Sequence, residues 1–521
     1  MRKHVSVFEP FTLLVSVLVT VFVALVCMTI MGRLGIVPNT SIIGALVAIT
    51  LGRTLASNFR SLDRQNLVQT MTSGGGFGAG NAIFVPVATV FLMGRVDLTV
   101  PILVGAGIGA LVSVWMIGKI YDSPPFPASY PWPPGVATSA AIIAGDEGGK
   151  KGRELLVGLS AGVLGGVFKI PMAGFGIAFI ADSWAMVALG IGLILRGYSV
   201  SLFNGFDLGT TYIPHGIMIG GSIAQLWQTA RVLLGNKVDV KSNSTEEPGT
   251  TVSQAIARKA IVKSIGLFTI GVALIILLGG MMSDLSIGKL ILYLAWGSIG
   301  AWLTAILCGM CAMNSGWFPS TSIVVIFLMI SIVMGFPPIV LAVLAGYFSA
   351  TGACFSDMGY DLKTGWLLRK REGFDLEYEL EGRKQQVIAE LIGVFVGILA
   401  VAAVGQIYLN QGLIPPFPKV FKAAIEAGTS PSILKTMAIW AIPGALIQLV
   451  SGPKRAMGIL LGVGLLIKSP LYGISCIVGV IVRFFWEKKM GGREVAQIRA
   501  AGIVAGDGIW GFFNALWRTF A

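Results

Sequence analysis

Residues 11–31 read FTLLVSVLVTVFVALVCMTIM, a mostly apolar run without a charge or a proline, long enough to cross a bilayer as one helix. Comparable runs recur to the other end of the chain, the last near 456–486 and 496–519. At about 20 residues per crossing, 521 residues that are 55% hydrophobic and 12% charged, with mean hydropathy +0.82, leave little for a soluble domain. The reading is an all-α polytopic integral membrane protein. Spans are expected near 10–31, 37–56, 67–93, 98–120, 154–181, 183–203, 209–233, 260–281, 287–312, 320–354, 386–409, 434–451, 456–486 and 496–519. Two of these are too long for one crossing and are punctuated, 320–354 by Pro337 and Pro338 and 456–486 by Lys468, Ser469 and Pro470. Each is read as two helices or a bent pair, which gives about 14–16 membrane segments.

The polar stretch 235–257, GNKVDVKSNSTEEPGTTVSQAIA, divides the chain near its middle. It predicts a transmembrane bundle over 1–234, a cytoplasmic linker over 235–258 and a second, related bundle over 259–521. The formal charge of +13 falls in short connections, among them Arg53, Arg60 and Arg64, then Arg369, Lys370 and Arg371. That distribution is the positive-inside pattern, so it reads as topology with a cytoplasmic N-terminus and not as nucleic-acid binding. Glycine spacings such as Gly158, Gly162 and Gly166 suit close helix packing. The five cysteines lie in apolar runs, which argues against a disulfide framework. With only His4 and His215, a histidine-built metal site is not expected, and no cofactor is.

Three places interrupt the helical pattern. Residues 64–84, RQNLVQTMTSGGGFGAGNAIF, set Asn66, Gln69, Thr70, Thr72 and Ser73 ahead of a glycine run at membrane depth. This is either a broken helix that forms a site or a glycine-rich packing face with a polar cap. Residues 122–135, DSPPFPASYPWPPG, cannot continue a helix and precede a segment too short to span. They read as a re-entrant segment or a rigid external loop. The third is FKIP at 168–171, where Lys169 is either an intramembrane cation or one snorkelling from a helix end.

The ordered set QNLVQT with its glycine-rich follow-on, PWPPGVATSAAI, LGTTYIPHGIMIGGSIAQLW, DMGYDLKTG and AAGIVAGDGIW resembles the oligopeptide transporter (OPT) family, with the nearest likeness to its yellow-stripe-like branch. The likeness runs from about residue 60 to 515 in the same order; the first 53 residues carry no motif of the family. The resemblance implies a secondary transporter that imports small peptides, or alternatively metal chelates, together with protons. Short termini and loops suggest a prokaryotic member in the inner membrane, as a monomer or homodimer.

Proton coupling needs a carboxylate or histidine whose surroundings change between inward and outward states. Glu390 and Asp357 rank first, then Asp507 and Asp207, with His215 near Asp207; a structural ion pair or helix cap is the alternative for each. Asp361 is a further acid in an apolar run. Asn66, Gln69, Thr70, Tyr130, Trp132, Lys169 and Tyr212 are candidate cargo contacts, because amides, hydroxyls, aromatic faces and a cation suit peptide bonds and terminal carboxylates. A channel would call for repeated filter elements, which a long asymmetric chain lacks. A membrane-embedded enzyme would show a compact acid cluster or a nucleophile and base pair; no such cluster is expected at membrane depth, and GDEGG at 145–149 supplies only two adjacent acids.

Overall fold

Apolar composition and proline placement cut the chain into helices joined by short turns, as seen in a computed structural model. It describes residues 3–34, 37, 40, 41, 44, 45, 61–147, 149–234, 249–316, 318–371, 373–428, 431–452, 455–489 and 493–520. No β-strand occurs among the described residues. In chain order the helices are α1 (Pro10–Leu34), α2 (Leu62–Leu92), α3 (Thr99–Ile120), α4 (Pro133–Glu147), α5 (Gly149–Val167), α6 (Met172–Ile180), α7 (Ser183–Leu202), α8 (Ile213–Leu234) and α9 (Gln254–Leu278). Beyond the linker's end follow α10 (Ile287–Ser315), α11 (Ser320–Val333), α12 (Pro338–Lys370), α13 (Leu376–Asn410), α14 (Pro416–Ala427), α15 (Pro431–Ser451), α16 (Met457–Leu466), α17 (Pro470–Lys489) and α18 (Arg493–Phe520).

Ten of these are long and apolar enough to cross a membrane: α1, α2, α3, α7, α9, α10, α12, α13, α15 and α17. Helices α11 and α16 are apolar but shorter. The protein is therefore a multi-pass membrane protein. The breaks expected at Pro337–Pro338 and at 468–470 are present, since α11 gives way to α12 and α16 to α17 there. The expected span 37–56 lies almost wholly outside the described residues, as do 235–248 of the expected linker.

The glycine run behaves differently from the broken helix considered above. Helix α2 stays wound through it, loosening only to a π-turn over Gly78–Ile83 before closing again as Phe84–Leu92. The reason is packing: a β-carbon at Gly75 would meet the carbonyl of Gly393 at 3.0 Å, and one at Gly397 would meet the carbonyl of Gly75 at 2.8 Å. Two backbones in such contact hold each other helical.

Helices pack in two groups that each draw from both sides of the linker. The first contains α1–α3 together with α9–α14; the second contains α5–α8 together with α15–α18. Short α4 touches α12 in one group and α18 in the other. Small residues sit at the crossings: Gly158, Gly162 and Gly166 of α5 lie against the backbone or ring atoms of Arg499, Ile503 and Trp510 on α18.

Candidate functional site

Three helices of the first group each contribute a pair of polar residues four apart, which places each pair on one helix face. Helix α2 brings Gln69 and Ser73, α12 brings Asp357 and Asp361, and α13 brings Gln386 and Glu390. All six are buried, with Asp361, Gln386 and Glu390 at 0% exposure and Asp357 at 4%. The carboxylates of Asp357, Asp361 and Glu390 converge, one oxygen from each lying within 4.8 Å of the others.

Their hydrogen bonds are unequal. Asp361 Oδ1 accepts from Gln69 Nε2 at 2.6 Å and from Ser41 Oγ at 2.8 Å. Asp357 accepts from Ser73 Oγ, at 3.1 Å to each oxygen. Among the described residues no hydroxyl, amide or basic group donates to Glu390 or to Asp361 Oδ2; the Glu390 carboxyl meets those of Asp357 and Asp361 instead. Glu390 reaches this point because Gly74 has no side chain; a β-carbon there would stand 2.7 Å from the Glu390 Cδ. Among the described residues no lysine or arginine pairs with any of the three acids. Three carboxylates this close and this dry cannot all be ionised, so the cluster holds protons or a cation.

The expectation of no compact acid cluster at membrane depth is thus corrected. DMGYD at 357–361 is itself an i, i+4 acid pair, and α13 folds Glu390 back onto it.

Gln386 ties the cluster to a charged group nearer the helix ends. Its Nε2 donates to the Asp361 carbonyl at 2.7 Å, to Thr70 Oγ1 at 3.2 Å and to Asn66 Oδ1 at 3.3 Å. Its Oε1 accepts from Arg369 Nη1 at 2.7 Å. Arg369 in turn pairs with Glu379 at 2.7 Å, and Glu379 also takes Arg383 at 3.2 Å. Arg383 donates to Thr251 Oγ1 at 3.0 Å, and Thr251 to Asp122 Oδ2 at 2.7 Å.

A cavity of about 460 Å³ opens along the same two helices. Asn81 and Val85 of α2, Ser349 and Ala353 of α12, Ser320–Ser322 at the start of α11, and Phe318, Phe417 and Phe421 line it. Ala353 is one turn before Asp357, about 6 Å along the axis. Phe77, between Ser73 and Asn81 on α2, packs edge-on against Phe318 with centroids 5.1 Å apart. No charged side chain is among the described lining residues.

The residues singled out from sequence divide accordingly. Asn66, Gln69, Thr70, Asp357 and Glu390 come together in one buried network. Trp132 is fully buried between Tyr121, Phe126 and Tyr360, and its ring fills the space over Gly359. Tyr130 is half-buried in the loop before it. Lys169 sits exposed on the turn between α5 and α6 with φ 60°. Tyr212 and His215 lie ring to ring at 5.3 Å at the start of α8. Asp207 pairs with Arg196 at 2.7 Å, and the Gly209 N–H and that guanidinium hold its carboxyl below the usual carboxylate range. Asp507 accepts from the Ala173 N–H at 3.1 Å and so caps α6. None of the seven candidate cargo contacts is among the described cavity-lining residues. Gln386 and Ser41 were not singled out; the spacing of Gln386 to Glu390, matching that of Asp357 to Asp361, is the signal that marks the first.

An all-helical multi-pass protein with a buried acid cluster one turn from a cavity has the parts of a membrane transporter. Residues 10–236 and 187–518 match the family described as OPT oligopeptide transporter protein, and the chain belongs to that family. A comparison with curated proteins found no match. The family's members are transporters and not enzymes, and the family implies oligopeptide or peptide-like cargo.

Proposed function

We propose that this protein imports small oligopeptides by symport with protons, which ride on Asp357, Asp361 and Glu390. One observation carries the reading: three buried carboxylates share a site with no basic partner among the described residues, one helical turn from a cavity of peptide size. Protonation makes the cluster neutral and fit to cross a low-dielectric barrier, while loss of protons on one side resets it. Asn66, Gln69, Thr70 and Gln386 are positioning residues here, holding Asp361 and the turn around it.

The cavity lining favours peptides. Hydroxyls of Ser320, Thr321 and Ser322 and the amide of Asn81 can bond peptide groups, and the rings of Phe318, Phe417 and Phe421 can hold apolar side chains. Within the family we place the chain on the yellow-stripe-like branch, on its ordered motifs, in the inner membrane of a prokaryote with the N-terminus cytoplasmic. The halves 1–234 and 259–521 are read as repeats. Each half gives its earlier helices to the first packing group and its later ones to the second, which supports that reading.

The test is reconstitution into liposomes holding a pH dye, with pooled tri- to pentapeptides and then metal chelates added outside. Peptide-dependent acidification that disappears in Glu390→Gln and in Asp357→Asn is the expected result. Acidification with chelates alone would transfer the cargo to that class, and acidification unchanged in both variants would remove the cluster from the coupling mechanism.

A further inference from the structure

We propose that Asp357, Asp361 and Glu390 form a binding site for a hard divalent cation of calcium size, taken up in exchange for protons. The proposal shares its residues with the proton-coupling reading, and rests on it only in that ion and protons compete for the same oxygens.

Geometry admits an ion of this size. Calcium-like ions bind oxygen at about 2.3–2.6 Å, so one ion bridges oxygens up to about 4.6–5.2 Å apart. The three carboxylate oxygens, within 4.8 Å of one another, fit that span. Magnesium sheds its water reluctantly and suits a dry site poorly. The donors are all oxygen, the three carboxylates with the hydroxyls of Ser41 and Ser73 beside them, which selects a hard ion over a soft one.

Glu390 supplies the independent observation. It arrives from a different helix than the two aspartates, is wholly buried, and has no hydroxyl, amide or basic donor among the described residues for either oxygen, its carboxyl lodged over the bare backbone of Gly74. A carboxylate in that position faces only the other two acids, an arrangement that an ion between them would satisfy. One divalent ion and one retained proton would neutralise the three carboxylates. The titratable groups facing the cluster from its surroundings are Cys27 of α1 and Cys354 and Tyr360 of α12, none of them a base.

The experiment is equilibrium binding of radiolabelled Ca²⁺ to the purified full chain in detergent, at about pH 8 and about pH 5.5, with size-exclusion profiles confirming that each variant is folded. One saturable site per chain is expected, weakened about tenfold or more at the lower pH and by about the same or more in Glu390→Gln and in Asp361→Asn. Asp97→Asn, an exposed acid remote in sequence, should bind like wild type, and Mg²⁺ should compete poorly. Absence of saturable binding at pH 8, or binding that survives in both cluster variants, overturns the site. Peptide-driven acidification without Ca²⁺ binding would overturn the cation site alone. Ca²⁺ binding without acidification would overturn proton coupling alone.

Discussion

The carboxyl of Glu390 lies against Gly74, 2.7 Å from where a β-carbon on that residue would stand. That contact is what lets α13 deliver an acid to the face of α2. Gly74→Ala should push the Glu390 carboxyl aside and withdraw it from Asp357, at a cost of about 1–3 kcal/mol as overpacking does. Gly78→Ala is the matched control, since its β-carbon would meet Val394 at an ordinary 3.4 Å. Thermal unfolding in detergent and peptide uptake in liposomes measure both; equal behaviour of the two variants would refute the assigned role of Gly74.

Gln386 spends its amide on three acceptors and its carbonyl oxygen on Arg369. Gln386→Leu keeps the volume and removes all four bonds, leaving buried groups unpaired at about 1–3 kcal/mol for each that finds no substitute. A loss of at least about 2 kcal/mol in denaturation experiments is expected. A near-neutral effect would mean the network relaxes around the site and does not hold it.

The Arg369–Glu379 pair is almost fully buried, with side chains 2% and 3% exposed. Removing one partner strands charge in the interior, so Glu379→Gln should cost about 3–5 kcal/mol. Because Arg383 also leans on Glu379, a double-mutant cycle with Arg369→Met should show coupling above about 1 kcal/mol. Additive losses would show that the two do not act as a pair.

His4 precedes the first span and offers a pH test that does not involve the acid cluster. Its ring is 3.6 Å from Asp63 and packs at a tilt against Tyr378, with centroids 5.3 Å apart. Burial lowers its pKa from the ordinary 6.5, with Asp63 opposing. The seated histidine therefore binds fewer protons than the released one; its contribution is full above about pH 6.5 and is lost as pH falls through the folded value. Glu9, held down to about 2 chiefly by its hydrogen bonds with Arg64, keeps its own contribution above the ordinary 4.5 and loses it only towards pH 2. Hydrogen exchange should then quicken at Val5–Val7 between about pH 7.5 and pH 5, after correction for intrinsic rates, while the Glu9–Arg64 clamp stays fixed. His4→Phe should abolish the pH dependence; an unchanged dependence would assign it to another group.

What sequence could supply here followed local physics. Apolar runs located the ten long apolar helices, while the expected span 154–181 is two short helices, α5 and α6, and Pro338 and Pro470 located the breaks, because both signals act within one helix. Glu390 and Asp357 stood out as acids where acids are costly. Their meeting with Asp361, Ser73 and Gln386 was not legible, since it depends on how α2, α12 and α13 rotate against one another across hundreds of residues. The glycine run at 74–80 admitted either an unwound helix or a packing face, and its close contact with Gly393 and Gly397 on the facing helix accounts for the second. The linker marked the middle of the chain, yet could not reveal that helices from both sides of it pack together.

The most direct test of the coupling cluster separates binding from driving force. Glutamine imitates a protonated Glu390, so proteoliposomes carrying Glu390→Gln should exchange labelled peptide for unlabelled peptide within a few-fold of wild type, yet fail to accumulate it when a pH gradient is imposed. Accumulation driven by that gradient at the wild-type level would contradict the account.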